Sequence, residues 1–249
     1  REMGSSGSKP SIDAFMGGAE SAGHLWFRGE YDRALTLAHR ERTVAASFGN
    51  FGGAILSNYR LGQIYHSLGD YPKATEALTR TVTLLEGDLK RQRFEMAGLP
   101  AVLARVWLAF CAAECGNARE AAALTEEATA IAEAEDHAYS LVIAHAGTGM
   151  LRNLEGNHEG AIGPLERGLV TVRLLDIPFL FPLIAAPLGR AYALTGRMEE
   201  GLRLLQDAVQ RAEDMQWAAN HPLRIVWLGE SYVLAGDASA GRRLGTRAL

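Results

Sequence analysis

Cysteine and lysine are scarce in this 249-residue chain. Two Cys are too few for the disulfide framework of a secreted domain, so a reducing, cytoplasmic location is expected. Lysine occurs only as Lys9, Lys73 and Lys90, and 25 Lys+Arg stand against 29 Asp+Glu, a net charge of −4. That balance argues against nucleic acid or an anionic membrane surface as a partner. Long apolar runs are missing as well. The most apolar stretch, Ile177–Pro187, carries Pro178, Pro182 and Pro187. Crossing a bilayer takes about 20 apolar helical residues, so this stretch reads as a buried helix start with Pro182 near its first turn. The opening segment, residues 1–10, has no apolar run and reads as a flexible expression leader, set apart from a single domain over 11–249.

Signatures of chemistry are equally thin. The sequence holds no Gly-rich loop ending in Lys and Ser/Thr, no H-E-x-x-H, no C-x-x-C and no Gly-x-Ser-x-Gly. Gly147-Thr148-Gly149 lacks a phosphate-binding Lys and reads as helix packing. Cys111 and Cys115 lie four apart on one helical face and read as small core fillers. Seven His (His24, His39, His66, His137, His145, His158, His221) are scattered without metal-ligand spacing and read as surface and boundary residues. Paired acids such as Glu126-Glu127 and Glu199-Glu200 read as solvated helix faces or first-turn residues. The expectation is a chain without catalysis, metal or cofactor.

What is present is helix-forming residues in a period. Ala and Leu make up about 29% of the chain, a mix that favours helix. Gly29-Glu30-Tyr31, Gly69-Asp70-Tyr71, Gly116-Asn117-Ala118, Gly156-Asn157-His158, Gly196-Arg197-Met198 and Gly236-Asp237-Ala238 recur at spacings of 40, 47, 40, 40 and 40 residues. Gly ends one helix by accepting φ > 0, and the residue after it can cap the next. Small residues follow four or five positions later (Ala34, Ala74, Ala121, Ala161, Gly201, Gly241), where two antiparallel helices must approach closely.

The first helix of each unit has its own mark. Leu61-Gly62-x-x-Tyr65, Leu188-Gly189-x-x-Tyr192 and Leu228-Gly229-x-x-Tyr232 repeat one pattern. Ala109 and Ala112 take the Gly and Tyr places in the third unit, and Gly149 the Gly place in the fourth. Ala74-x-x-x-Leu78 and Ala161-x-x-x-Leu165 continue it into the second helices. This resembles the tetratricopeptide repeat, with a longer period and no closing Pro. It implies an all-α fold, a right-handed α-solenoid of about six helix-turn-helix pairs. The longer second spacing falls in Glu86–Pro100, where Gly87 ends one helix and Pro100 opens the next. This linker reads as a solvated connection, with an ordered binding loop as the alternative.

Two strings are more distinctive: Leu84–Phe94 with Gly98–Arg105, and Ile131–Val142. Through them Ala45–Asp214 resembles the C-terminal repeat region of bacterial signalling proteins that join a nucleotide cyclase or other output domain to an AAA-type ATPase module. That resemblance implies a regulatory or interaction module.

The repeat family's groove pattern, carried onto this sequence, places Tyr59, Gln63, His66, Val106, Phe110, Glu114, Ala146, Met150, Asn153, Arg190, Leu194 and Glu230 on a concave wall. That mostly neutral set suits an amphipathic helix or apolar peptide, and its apolar members suit inter-repeat core equally. The partner is expected to be a protein or peptide, including a fused output domain or a second copy. The alternative is an effector sensor binding a peptide or small molecule. An open groove favours the first reading, and a closed ring with a buried polar pocket favours the second. Ala238–Leu249 lacks a polar capping helix behind it, so a continuing chain or another copy is expected there.

Overall fold

The computed structural model describes residues 21–249, and the expected leader over 1–10 lies outside them. Twelve α-helices run through the described residues: α1 (Ala22–Phe27), α2 (Tyr31–Ser47), α3 (Phe51–Ser67), α4 (Tyr71–Leu84), α5 (Pro100–Glu114), α6 (Ala118–Ala134), α7 (Ala138–Leu154), α8 (His158–Leu174), α9 (Phe181–Leu194), α10 (Met198–Asp214), α11 (His221–Leu234) and α12 (Ala238–Ala248). They form six antiparallel pairs, α1/α2 through α11/α12, an all-α solenoid with the turns at the six predicted glycines. The first helices of successive pairs line the inner layer from α3 to α11, and the second helices stand outside.

One turn chemistry recurs. Gly69 and Gly236 hold φ of 75° and 93°, and the other four turn glycines lie between these values. The next residue's N–H closes onto a carbonyl five residues back, as in Asp70 to Tyr65 at 2.9 Å and Asn157 to Arg152 at 2.8 Å. Asp70, Asn157 and Asp237 then accept a first-turn N–H of the following helix.

Within a pair, the inner-helix Gly makes room for a Leu of the outer helix. A Cβ on Gly189 would come within 2.8 Å of Leu205 Cγ and 2.9 Å of the Gly201 carbonyl; Gly62 faces Leu78 and Gly149 faces Leu165 in the same way. In the third pair Ala109 stands in the Gly place, and Thr125 replaces the opposing Leu. A smaller partner on α6 compensates for the added methyl on α5.

Between pairs, the repeating tyrosines do more than fill a gap. Tyr65, Tyr192 and Tyr232 each reach back to the outer helix of the preceding pair. Their hydroxyls meet His39 Nε2 at 3.0 Å, Glu166 Oε1 at 2.7 Å and Gln206 Nε2 at 2.6 Å. Each of these partners stands ten residues past its own turn glycine, so one inter-repeat bond is made three times.

The array also closes on itself. A straight stack would hold the first and fifth pairs about 40 Å apart, at roughly 10 Å per step. Instead Phe27 stacks on Trp217, in the linker between α10 and α11, with centroids 5.0 Å apart. The Phe27 carbonyl accepts the N–H groups of Ala218 and Ala219 at 2.9 and 3.2 Å, and Arg28 bonds Gln216.

The 86–100 linker is ordered and held by charge. A 3₁₀ turn over Gly87–Arg91 sets Lys90 between Glu86 (3.0 Å) and Glu127 (3.3 Å), and Arg91 meets Glu135 at 3.1 Å. Buried Arg105 reaches Glu127 at 2.9 Å and Glu86 at 3.3 Å. Glu127 lies on an exposed helix face, as expected, and is an ion-pair partner there as well. Cys111 is buried as expected, whereas Cys115 is exposed at the C-cap of α5. His145, expected near the surface, is buried on α7.

Candidate functional site: the inner wall and its closure

The inner helices set the predicted wall residues in rows. Tyr59, Val106 and Ala146 stand ten residues before their turn glycines and are buried between neighbouring inner helices. Val106 packs so closely on Gly147 that a Cβ there would lie 2.8 Å from Val106 Cγ1. Gln63, Phe110, Met150, Arg190 and Glu230 form a second row, six before each glycine. Gln63 is buried and accepts from Arg60 at 2.7 Å. Phe110 is buried against Trp107 and His66. Met150 is half-buried beside a cavity of only about 20 Å³ under Trp227. Arg190 and Glu230, at equivalent positions on adjacent inner helices, pair at 3.1 Å, with the Arg190 guanidinium over the Trp227 ring.

The remaining members lie near the turns. Asn153 is buried and ties α7 to α9 by donating to the Pro187 carbonyl at 2.9 Å; its Oδ1 meets His158 Nδ1 at 3.0 Å. Glu114 is exposed and Leu194 half-buried. The wall accessible from outside thus comprises Glu114, Met150, Arg190, Leu194 and Glu230, with a partly exposed edge of His66.

His66 belongs to a cluster that sequence spacing missed. Its ring lies 5.1 Å from Trp107, 5.4 Å from Tyr71 and 6.2 Å from Phe110, and Trp26 of α1 packs edge-on against Trp107 at 5.7 Å. Trp26 also donates from Nε1 to Ser67 Oγ at 2.8 Å. Both His66 ring nitrogens are shielded from solvent and lack a hydrogen-bond partner. Burial pulls the imidazole down to about 4, so it stays neutral. Trp26 and Trp107 occupy different positions relative to their turn glycines, so no shared register flags their contact. At the closure, Arg224 lies buried 4.4 Å from the Trp217 ring centroid and donates to the Ala219 carbonyl at 3.0 Å; desolvation lowers its guanidinium to about 10.

An apolar concavity lies elsewhere, between α2 and α3. It has a volume of about 550 Å³, a floor of Leu37, Ala45 and Leu56, and Arg40 and Glu41 at the rim. Phe48 is 82% exposed at its mouth and Val44 55%.

No family model and no curated protein sequence matches the chain. Solved structures do. BtubC (BKLC) from P. vanneervenii aligns over 89% of this chain and 88% of its own, at 16% identity and a TM-score of 0.59. A thermophilic tetratricopeptide-repeat protein from Thermus thermophilus aligns over 82% of this chain and 95% of its own, at 20% identity and a TM-score of 0.55. The chain has the tetratricopeptide-repeat fold. A third match is a Signal Transduction ATPase with Numerous Domains (STAND) protein with a tetratricopeptide repeat sensor, from Pyrococcus horikoshii. It aligns over 90% of this chain at 16% identity and a TM-score of 0.61, and the chain spans 33% of its length. Among the described residues no helix of this tetratricopeptide-repeat array is long and apolar enough to cross a membrane.

Proposed function

We propose that the chain is a non-catalytic protein-interaction and regulatory module whose partner lays an amphipathic helix in the α2–α3 groove. Phe48 carries this reading. A large aromatic side chain left at the mouth of an apolar groove, with one rim charge of each sign, suits a helix with an apolar face and mixed flanks. Glu114, Met150, Arg190, Leu194 and Glu230, with His66 beside them, form a second contact strip on the inner wall. Tyr59, Gln63, Val106, Phe110, Ala146 and Asn153 support that strip from beneath.

The likeness to a STAND protein with a repeat sensor supports placing the array, as one domain over 11–249, in a larger signalling protein; the bacterial, cytoplasmic setting rests on the resemblance carried by Ala45–Asp214 and on the scarcity of cysteine. A second reading, effector sensing, is favoured by the Phe27–Trp217 closure. A ring held by one junction has two accessible states that a ligand can bias.

Photocrosslinking from position 48 tests the partner, with p-benzoylphenylalanine in place of Phe48 in the producing cells. The expected product is an adduct with one other protein, lost on Val44→Asp. An adduct confined to residues 1–20 of the same chain, or to a second copy, overturns the reading.

A further inference from the structure

A second cavity, of about 180 Å³, lies on the outer side of the first two pairs, between α2, α3 and α4. Its character emerges from the neighbouring pair. In the third pair, the residue eleven before the turn glycine is Arg105 and the residue eleven after it is Glu127; the two pair at 2.9 Å, with Arg105 buried and Glu127 covering it from the surface. The same two positions in the second pair hold Asn58 and Arg80, and both line the cavity. A short amide replaces the long cation, and a cation replaces the carboxylate. The ion pair that closes the third pair is thus missing, and a space remains in its place.

The groups around that space are unspent. Asn58 is 4% exposed, and its Oδ1 has no hydrogen-bond partner. Arg80 makes no ion pair among the described residues, and neither does Arg42, which lines the cavity from α2. Glu76 is the one carboxylate among the lining residues, while Lys73 is taken by Asp70 at 2.6 Å. Arg42 lies 3.2 Å from His39 Nδ1, and since arginine only donates, that nitrogen accepts. His39 Nε2–H then donates to the Tyr65 oxygen at 3.0 Å, leaving the Tyr65 O–H to point its proton elsewhere.

We infer that this cavity binds a small organic anion, a carboxylate or phosphate monoester with a hydroxyl or amino donor. Its oxyanion takes the place that Glu127 occupies beside Arg105, between Arg42 and Arg80 and within reach of the Tyr65 hydroxyl. Its donor satisfies Asn58 Oδ1. The volume equals about six waters' share of liquid, which suits a molecule of amino-acid size. The site stands independently of the α2–α3 groove, so either can fail without the other.

Calorimetry and thermal unfolding of the whole chain test it, with malate, glycerol 3-phosphate, inorganic phosphate and acetate at matched ionic strength. Malate or glycerol 3-phosphate is expected to bind once per chain and raise the melting temperature, and which one does so separates carboxylate from phosphate. The double substitution Asn58→Arg with Arg80→Glu rebuilds the third pair's ion pair and is expected to abolish binding with no loss of stability. Arg42→Gln, at the cavity's edge, should weaken binding about tenfold or more without moving the melting temperature of the free protein. No saturable binding at millimolar concentrations, or equal affinity in Arg42→Gln, overturns the site. Inorganic phosphate binding as tightly as either organic anion overturns the donor assigned to Asn58.

Discussion

Phe27 and Trp217 stack with their ring planes 18° apart, joining the first helix pair to the linker before the sixth. The Phe27 carbonyl receives two backbone N–H groups from the same linker, so ring and backbone fix one junction together. Neighbouring pairs hold a solenoid together locally; this junction, with the Arg28–Gln216 bond beside it, spans from the first pair to the fifth.

Phe27→Ala should therefore open the array as well as weaken it. Small-angle scattering is expected to show a larger radius of gyration. A double-mutant cycle with Trp217→Ala should give a coupling of roughly 0.5–1.5 kcal/mol beyond area burial. An unchanged radius in both variants would mean that the stack does not hold the ring.

Two glycines are expected to respond for different reasons. Gly189→Leu drives a side chain into Leu205 and the Gly201 carbonyl, at about 3 kcal/mol or more by overpacking. Gly87 has open space around it and a φ of 59°, so Gly87→Ala costs about 1–2 kcal/mol of backbone strain alone. Chemical denaturation compares them, and equal losses would contradict the packing described for α9 and α10.

The inter-repeat tyrosines should be worth little singly. Tyr192→Phe removes the bond to half-exposed Glu166 and is expected to cost about 1 kcal/mol by equilibrium unfolding. Burial, and the bond to Glu166, push the Tyr192 phenol up to about 12. The unfolded chain loses this proton first, near 10, so the contribution is full below pH 10 and is lost between 10 and 12. Tyr192→Phe should flatten that part of the stability profile, and an identical profile would show that the phenol is not shifted.

His66 predicts the opposite limb. Its folded value of about 4 lies below the ordinary 6.5, so the unfolded chain binds the proton first as pH falls. Stability is full above 6.5 and lost between 6.5 and 4, by about 3 kcal/mol. His66→Phe keeps an aromatic ring against Trp107, Tyr71 and Phe110 without the titration. The variant should melt less steeply over that range, and an unchanged slope would place the imidazole in water.

The turn glycines were readable because a left-handed residue is a local requirement, met by Gly29, Gly69, Gly116, Gly156, Gly196 and Gly236 alike. Gly62, Gly149 and Gly189 were readable for a related reason: each answers a Leu at fixed spacing in the same pair. The wall residues were readable only as positions. Spacing put Gln63, Phe110, Met150, Arg190 and Glu230 on one row, but not which of them neighbouring side chains would cover. The linker shows the same limit. Lys90 meets Glu86 within one turn, but Glu127 and Glu135, which meet Lys90, Arg91 and Arg105, come from α6 and the turn after it, and Glu86 lies nineteen residues from Arg105.

Local sequence dictates the six helix pairs, their turns and the close approach inside each pair, because those depend on residues a few turns apart. Three-dimensional assembly settles the remainder: that Phe27 meets Trp217, that Trp26 reaches Trp107, and that Asn58 and Arg80 line a cavity at the positions where Arg105 and Glu127 form an ion pair. Curvature sums small rotations over all six pairs, and no single repeat encodes that sum.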